Sequence, residues 1–338
     1  MWTEEKLDQL LTEPSDALVS DIQKIKGDIM VLGAGGKMGP TLCVLAKNAI
    51  EKAGINKRVI AVSRFTDPFA TELLHKQGVE TISCDLLDTE QLRSLPDVEN
   101  VIYMAGRKFG TDGSEWQTWA MNSTLPAFVA EKFKTSNFVV FSSGNIYPIV
   151  PLSSGGCTEQ DKVGPIGEYA MSCLARERAF EYAANHYGAN VFIYRLNFAV
   201  DLRYGVLYDM AEKIMSGTPI DITTPALNCI WQGSANEIAI RGLLHATAPA
   251  TIMNVTGPET VSIAKAAKML AEYLGKEAIF EGTPGTDAYL NDASLAMETF
   301  GYPAVSIKTL IRWQAEWILD GGRSLGKPTH FEERKGSY

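Results

Sequence analysis

Residues 29–39 read Ile29-Met30-Val31-Leu32-Gly33-Ala34-Gly35-Gly36-Lys37-Met38-Gly39: an apolar run breaks into a glycine-rich loop and then enters a helical pattern. Gly33, Gly36 and Gly39 fall three apart. That spacing lets a strand turn sharply into a helix whose first N–H groups face outward. Glycine serves at the turn and wherever a side chain would hold a phosphate off the backbone. The guest this loop predicts is the pyrophosphate of a dinucleotide, received by Gly33, Gly35, Gly36, Lys37, Met38 and Gly39. A bare glycine triplet also fits an ordinary turn, so the surrounding pattern decides.

From Asp28 onward, apolar runs of strand length alternate with helical patterns. The strands expected are Ile29–Leu32, Val59–Val62, Val79–Ser83, Val101–Met104, Phe138–Phe141 and Val191–Leu196, with helices near 38–53, 68–77, 115–133 and 167–187. Alternation at this pace implies right-handed crossovers and a parallel sheet covered on both faces, with ligands beyond the carboxyl ends of the strands. After about residue 200 the rhythm loosens. Helices are expected near 205–217, 235–247, 262–274 and 306–319, with Ser234 and Glu237 as a capping box for the second. Gly/Pro turns such as Gly257-Pro258 separate short strands. The expected class is α/β: a Rossmann-like doubly wound parallel sheet with a smaller C-terminal α/β lobe. The organisation expected is a helical extension over 1–27, an NAD(P)-binding domain over 28–200, and a substrate lobe over 201–338 partly interleaved with it. In the extension, leucines and isoleucines at helical spacing are interrupted by Pro14. That predicts one or two short helices packed on the body or on a second subunit. The polar tail from Gly326 to Tyr338 either projects freely or wraps a neighbour.

Composition narrows the function. The chain has 338 residues, 46% of them hydrophobic, and a formal net charge of −9, enough for a sizeable core. No Lys/Arg block stands out, which argues against nucleic acid or an anionic membrane as partner. No apolar stretch approaches the ~20 residues of a membrane span, and the acidic start Met1-Trp2-Thr3-Glu4-Glu5 does not read as a secretory signal. Five scattered cysteines without a CxxC pair read as reduced thiols of a cytoplasmic protein. Four distant histidines give no zinc spacing, so no metal is expected.

The strand ends carry the cofactor reading further. The second strand ends Ser63-Arg64, a hydroxyl followed by a cation, where an acid would select a free ribose 2′-hydroxyl. NADP is therefore favoured, with NAD still open. The third ends Asp85-Leu86, where Asp85 is placed to receive an adenine amino group. The fourth ends Ala105-Gly106-Arg107, small residues that let a cofactor lie against the backbone.

At the fifth strand the chain reads Phe141-Ser142-Ser143-Gly144-Asn145-Ile146-Tyr147-Pro148, and later Gly167-Glu168-Tyr169-Ala170-Met171-Ser172-Cys173. With the glycine loop, these residues resemble the extended short-chain dehydrogenases/reductases of the NAD-dependent epimerase/dehydratase type, over roughly residues 28–320. The resemblance implies that Ser143 hydrogen-bonds a substrate oxygen and that Tyr169 is the general acid/base for a hydroxyl whose carbon exchanges hydride. It also implies a homodimer built on two helices, the Tyr169 helix among them. The family lowers the phenol pKa, near ~10 unaided, with a lysine four residues on. Here Cys173 stands there, and no lysine occurs between Lys162 and Lys213. Arg107 or Lys108 is the favoured replacement cation, with Arg176 one turn further along the helix. Cys173 either acts as a thiolate or fills space as a neutral residue. Gly144 and Asn145 replace the acidic pair of family dehydratases, which argues against dehydration. Asn197 follows Arg195 by two residues rather than the three usual in nucleotide-sugar enzymes. Lys108, Asn145 and Asn197 remain candidate substrate contacts. The reading is hydride transfer at a hydroxyl or keto carbon of a sugar or sugar derivative. A catalytically silent dinucleotide sensor or scaffold is the alternative.

Overall fold

The apolar run before the glycine loop becomes the centre of the molecule. The computed structural model describes residues 1–66, 68–108 and 113–336. Strands β1 (Ile29–Leu32), β2 (Val59–Ser63), β3 (Glu80–Ser83), β4 (Asn100–Tyr103), β5 (Asn137–Ser143), β6 (Val191–Leu196) and β7 (Thr251–Val255) form one parallel sheet in the order β3-β2-β1-β4-β5-β6-β7. All four residues of β1 are buried, as a strand covered on both faces requires. The chain winds outward from β1 to β3, then returns to β4 on the other side of β1. The crevice for a ligand therefore opens at the carboxyl ends of β1 and β4.

Helices α1 (Glu4–Thr12) and α2 (Asp16–Lys24) precede the sheet, capped by the hydroxyls of Thr3 and Ser15 and separated by Pro14. Leu18 and Ile22 of α2 join α3 (Gly39–Lys52) in the core on one sheet face. The extension thus packs on its own body. The other face is covered by α4 (Leu125–Lys132) and α5 (Gly167–Tyr187), with Phe133, Phe138 and Phe180 at the centre of that core. A third core joins Leu7 and Leu11 of α1 to α6 (Val206–Ser216), α8 (Ile263–Leu274) and α9 (Ile307–Leu319) of the C-terminal lobe.

Three features depart from the expected pattern. The seventh strand, Thr251–Val255, was not foreseen: its crossover from β6 runs through the C-terminal lobe and α7 (Gln232–Arg241) rather than one long helix. Because α7 begins at Gln232, Ser234 lies inside it. Glu237 accepts from Ser15 and pairs with Arg241, so no capping box forms there. The pattern over 115–133 is a helix Glu115–Trp119, a π-turn Ala120–Thr124 and then α4. A π-turn inserts one extra residue and often marks a functional position. Among the described residues, no helix is long and apolar enough to cross a membrane.

Candidate active site

The three spaced glycines do three different jobs. Gly33 has φ 88°, and a Cβ there would stand 2.6 Å from the Ala105 backbone nitrogen, so the turn out of β1 excludes any side chain. A Cβ on Gly39 would stand 2.4 Å from the Ala34 carbonyl oxygen, so glycine lets α3 start against the loop. At Gly36 the nearest atom is Gly33 O at 3.4 Å, an ordinary contact, and Gly36 is exposed. The protein itself does not need glycine at that position. An incoming group approaching the backbone does, and the loop therefore fits a dinucleotide pyrophosphate. At Gly35 a Cβ would meet Ser63 Oγ at 2.6 Å, which ties the loop to the end of β2. Arg64 is exposed beside it, Leu86 is buried, and Asp85 Oδ1 accepts from Leu87 N at 3.1 Å. Ser63, Arg64, Asp85 and Leu86 lie at the β2–β3 side, apart from the groups that surround Tyr169.

Ser143 ends β5 and caps the single turn Gly144–Ile146, accepting from Asn145 N at 3.2 Å. Tyr169 sits in the first turn of α5, and its phenol is hydrogen-bonded to the Ser143 hydroxyl and the Cys173 thiol. Burial pushes the phenol pKa well above its usual value. The nearby Cys173 adds to that rise, and the Arg176 guanidinium and the Ser143 bond oppose it. Cys173 is fully buried in a small cluster with Ile146 and Tyr147, and burial raises its thiol pKa as well. That environment keeps the thiol neutral and favours the packing role over the thiolate.

The cation nearest in kind to the missing lysine is Arg176, one turn beyond Cys173 and 5% exposed. Its Nη1 donates to Phe141 O at 2.7 Å and its Nη2 to Asn122 Oδ1 at 2.7 Å, while Nε has no partner among the described residues. Arg107, favoured from sequence, directs its guanidinium to Gln117 and to Ser114 Oγ. Lys108 does reach the site: its Nζ lies 5.6 Å from the centre of the Tyr169 ring.

Asn122 escaped the sequence reading. It lies in the π-turn, fully buried, and makes four bonds. Nδ2 donates to Arg107 O and Ser172 Oγ, and Oδ1 accepts from Arg107 N and Arg176 Nη2. A lone asparagine in an apolar helical pattern was the available signal. Behind Tyr169, Glu177 is paired with Arg195 at 2.7 Å, both buried, and accepts from Ser142 Oγ at 2.5 Å. Arg195 also donates to Tyr147 OH at 2.6 Å, and that hydroxyl donates to Asn254 Oδ1 at 2.9 Å. This network pins α5 against β5, β6 and β7 and so sets where Tyr169 meets Ser143.

Gly33, Gly36, Ser143 and Tyr169 line one cavity of about 510 Å³, together with Asn145 and Asn197. Its basic lining residues are Lys37, Arg107, Lys108, Arg176 and Lys327, and no carboxylate belongs to its described lining. Lys37 lies with Nζ 3.5 Å from the centre of the Tyr204 ring. Lys327 and Thr329 come from the C-terminal tail, for which its polar composition predicts a free segment or one wrapped on a neighbour. The tail instead lies on its own chain. Thr329 N donates to Asp209 Oδ2 at 2.8 Å, Phe331 is buried, and Arg334 pairs with Asp287 at 2.6 Å. Gly336 packs against Gly167, at the start of α5. Residues 337 and 338 lie outside the described residues.

No curated protein sequence matches the chain. Solved structures share its fold. Pal from Bacillus thuringiensis superposes with a TM-score of 0.72 at 17% identity, over 87% of this chain and 99% of that one. UDP-glucuronic acid 4-epimerase from Bacillus cereus, in complex with UDP-glucuronic acid and NAD, gives 0.68 at 19% identity over 87% and 99%. WbmG from Bordetella bronchiseptica, in complex with NAD and UDP, gives 0.71 at 18% identity over 89% and 97%. The family model for NAD-dependent epimerases/dehydratases matches residues 29–220, more than half of the sequence, and the chain belongs to that family.

Proposed function

We propose that this chain is an NAD(P)-dependent oxidoreductase or epimerase acting at a hydroxyl- or keto-bearing carbon of a sugar derivative. The observation that carries the reading is the hydrogen-bonded Ser143–Tyr169 pair, lining the same cavity as the glycine cradle. A bound nicotinamide supplies the hydride acceptor or donor. Ser143 donates a hydrogen bond to the substrate oxygen, and Tyr169 takes or returns the hydroxyl proton. Asn122 holds Arg107 and Arg176 in place, and Asn197 and Lys108 contact substrate. Cys173 fills the space of the family lysine as a neutral thiol.

NADP is the preferred cofactor in this reading, supported by the exposed Arg64 and by Ser63 where β2 ends. The Bacillus cereus epimerase and WbmG structures carry NAD, so a change of preference would be a property of this chain's β2 end. A homodimer through α4 and α5 is supported by Phe128, Met171, Tyr182 and Tyr187, exposed on those two helices by 38%, 38%, 56% and 38%. Sedimentation of the protein and of Tyr182→Asp tests it: a dimer that the substitution dissociates is expected, and a monomeric parent would end the proposal. For the activity, cofactor reduction or oxidation is followed with a panel of sugars and sugar derivatives. Turnover with at least one is expected; tight dinucleotide binding without turnover on any of them would favour a silent binder.

A further inference from the structure

We propose that the substrate of this site is itself an acid: a small polyhydroxylated molecule bearing a carboxylate or phosphate, whose anion is held by Lys108 and Lys327. The proposal rests on the hydride-transfer reading only for which hydroxyl reacts; the anion pocket is argued from the cavity alone.

A chain of net charge −9 lines this cavity with five basic side chains, and no carboxylate belongs to its described lining. The five are not equivalent. Lys37 belongs to the glycine loop and serves the cofactor's pyrophosphate. Arg107 and Arg176 hold protein acceptors: Ser114 and Gln117 for the first, Phe141 and Asn122 for the second. Lys108 stands at the catalytic end, its Nζ 5.6 Å from the centre of the Tyr169 ring and 5.8 Å from that of Phe198. Lys327 is carried into the cavity by the anchored tail.

Burial reaches the ammonium groups of Lys37 and Lys108, and holding them charged there costs free energy, while Lys327 is exposed at the rim. Burial brings Lys108 down to about 8, with Cys173 and Asp209 acting against the fall. Lys37 is brought down to about 7 by burial and by repulsion from Lys108 and Lys327, against the attraction of Asp209. Asp209 is the carboxylate that faces the cluster, and one of its oxygens already receives the Thr329 amide and hydroxyl. An entering anion would relieve this repulsion. A further donor waits for it: Asn197 is 4% exposed, and its Nδ2 has no partner among the described residues. The tail residues Lys327 and Thr329 form part of the wall. A cavity of about 510 Å³ that must also take the nicotinamide end suits a compact acid.

The test is calorimetric binding to cofactor-loaded protein of four- to six-carbon aldonates and sugar phosphates, their neutral counterparts, and UDP-glucose. At least one acid is expected to bind about tenfold or more tightly than its neutral counterpart, with affinity falling from pH 7 to pH 9 as Lys108 loses its proton. Lys108→Met and Lys327→Met should each weaken that acid by about 10- to 100-fold. The dinucleotide Kd should stay unchanged, and Lys327→Arg should restore binding. Equal binding of acid and neutral forms, preference for UDP-glucose, or binding of none of the acids would overturn the proposal. So would an equal loss of dinucleotide affinity in the lysine variants, which would assign the lysines to the cofactor's phosphates. Lysine-dependent acid binding without cofactor turnover would sink the hydride-transfer reading and leave the anion pocket standing. Turnover of neutral sugars alone would do the reverse.

Discussion

Replacing Arg176 by methionine removes the buried guanidinium that holds down the pKa values of Tyr169 and Cys173, while keeping the bulk of the side chain. An opposite charge within ~4–6 Å of a titrating group moves its pKa by about 1–3 units, or about 1.4–4 kcal/mol. Burial already lifts the Tyr169 phenol, and the variant lifts it further. In the direction where Tyr169 accepts a proton, activity is present above its pKa and lost as the pH falls through it. The limb of the kcat profile should therefore move about 1–3 units to the alkaline side, and the neutral-pH rate should fall about 10- to 1000-fold. Phe141 O and Asn122 Oδ1 also lose a donor, so thermal melting must accompany the kinetics, and Arg176→Lys separates charge from packing. Adding Cys173→Lys to Arg176→Met returns a cation one turn from Tyr169 and should recover part of the rate with the limb moved back. A pH profile of Arg176→Met that superposes on the parent's would refute the reasoning, as would loss of rate without any shift of the limb.

Other outcomes follow from the same geometry. Gly36→Ala should leave the melting temperature nearly unchanged but weaken dinucleotide binding, because the added Cβ meets only Gly33 O at 3.4 Å. Gly39→Ala should destabilise the fold itself, because its Cβ would stand 2.4 Å from Ala34 O; paired denaturation and cofactor titrations separate the two. Glu177→Gln uncovers the buried charge of Arg195 and should cost about 3–5 kcal/mol in urea unfolding; a loss below ~1 kcal/mol would show the pair to be well solvated. Arg64→Ala should weaken NADP without changing NAD affinity, read by fluorescence titration of both.

The sequence was most legible where the contrast between neighbouring residues was sharp. Ile29–Leu32 is an unbroken apolar run and Val191–Leu196 an apolar run interrupted by Arg195 alone, both with strand boundaries as expected, and the 167–187 pattern is α5. Strand β7 was hidden because Thr251–Val255 is short, mixes Thr and Asn with apolar residues, and follows no long crossover helix. The π-turn at Ala120–Thr124 leaves no mark on helical periodicity, so Asn122 could not be seen as a hub. Direction was equally illegible for the cations. Arg107 and Lys108 are adjacent in the chain, yet Gln117 and Ser114 take the first guanidinium while the second side chain reaches the Tyr169 ring. Lys327 joins the cavity only because Asp209, Asp287 and Gly167 anchor a tail whose own composition is polar. Such contacts depend on tertiary packing, which periodicity does not encode.

The most direct test of the central claim is Tyr169→Phe, assayed for cofactor turnover on the best substrate and for dinucleotide affinity in parallel. Turnover should fall at least about 100-fold, as the loss of a positioned acid/base requires, while the dinucleotide Kd stays unchanged. Undiminished turnover would rule out Tyr169 as the proton carrier.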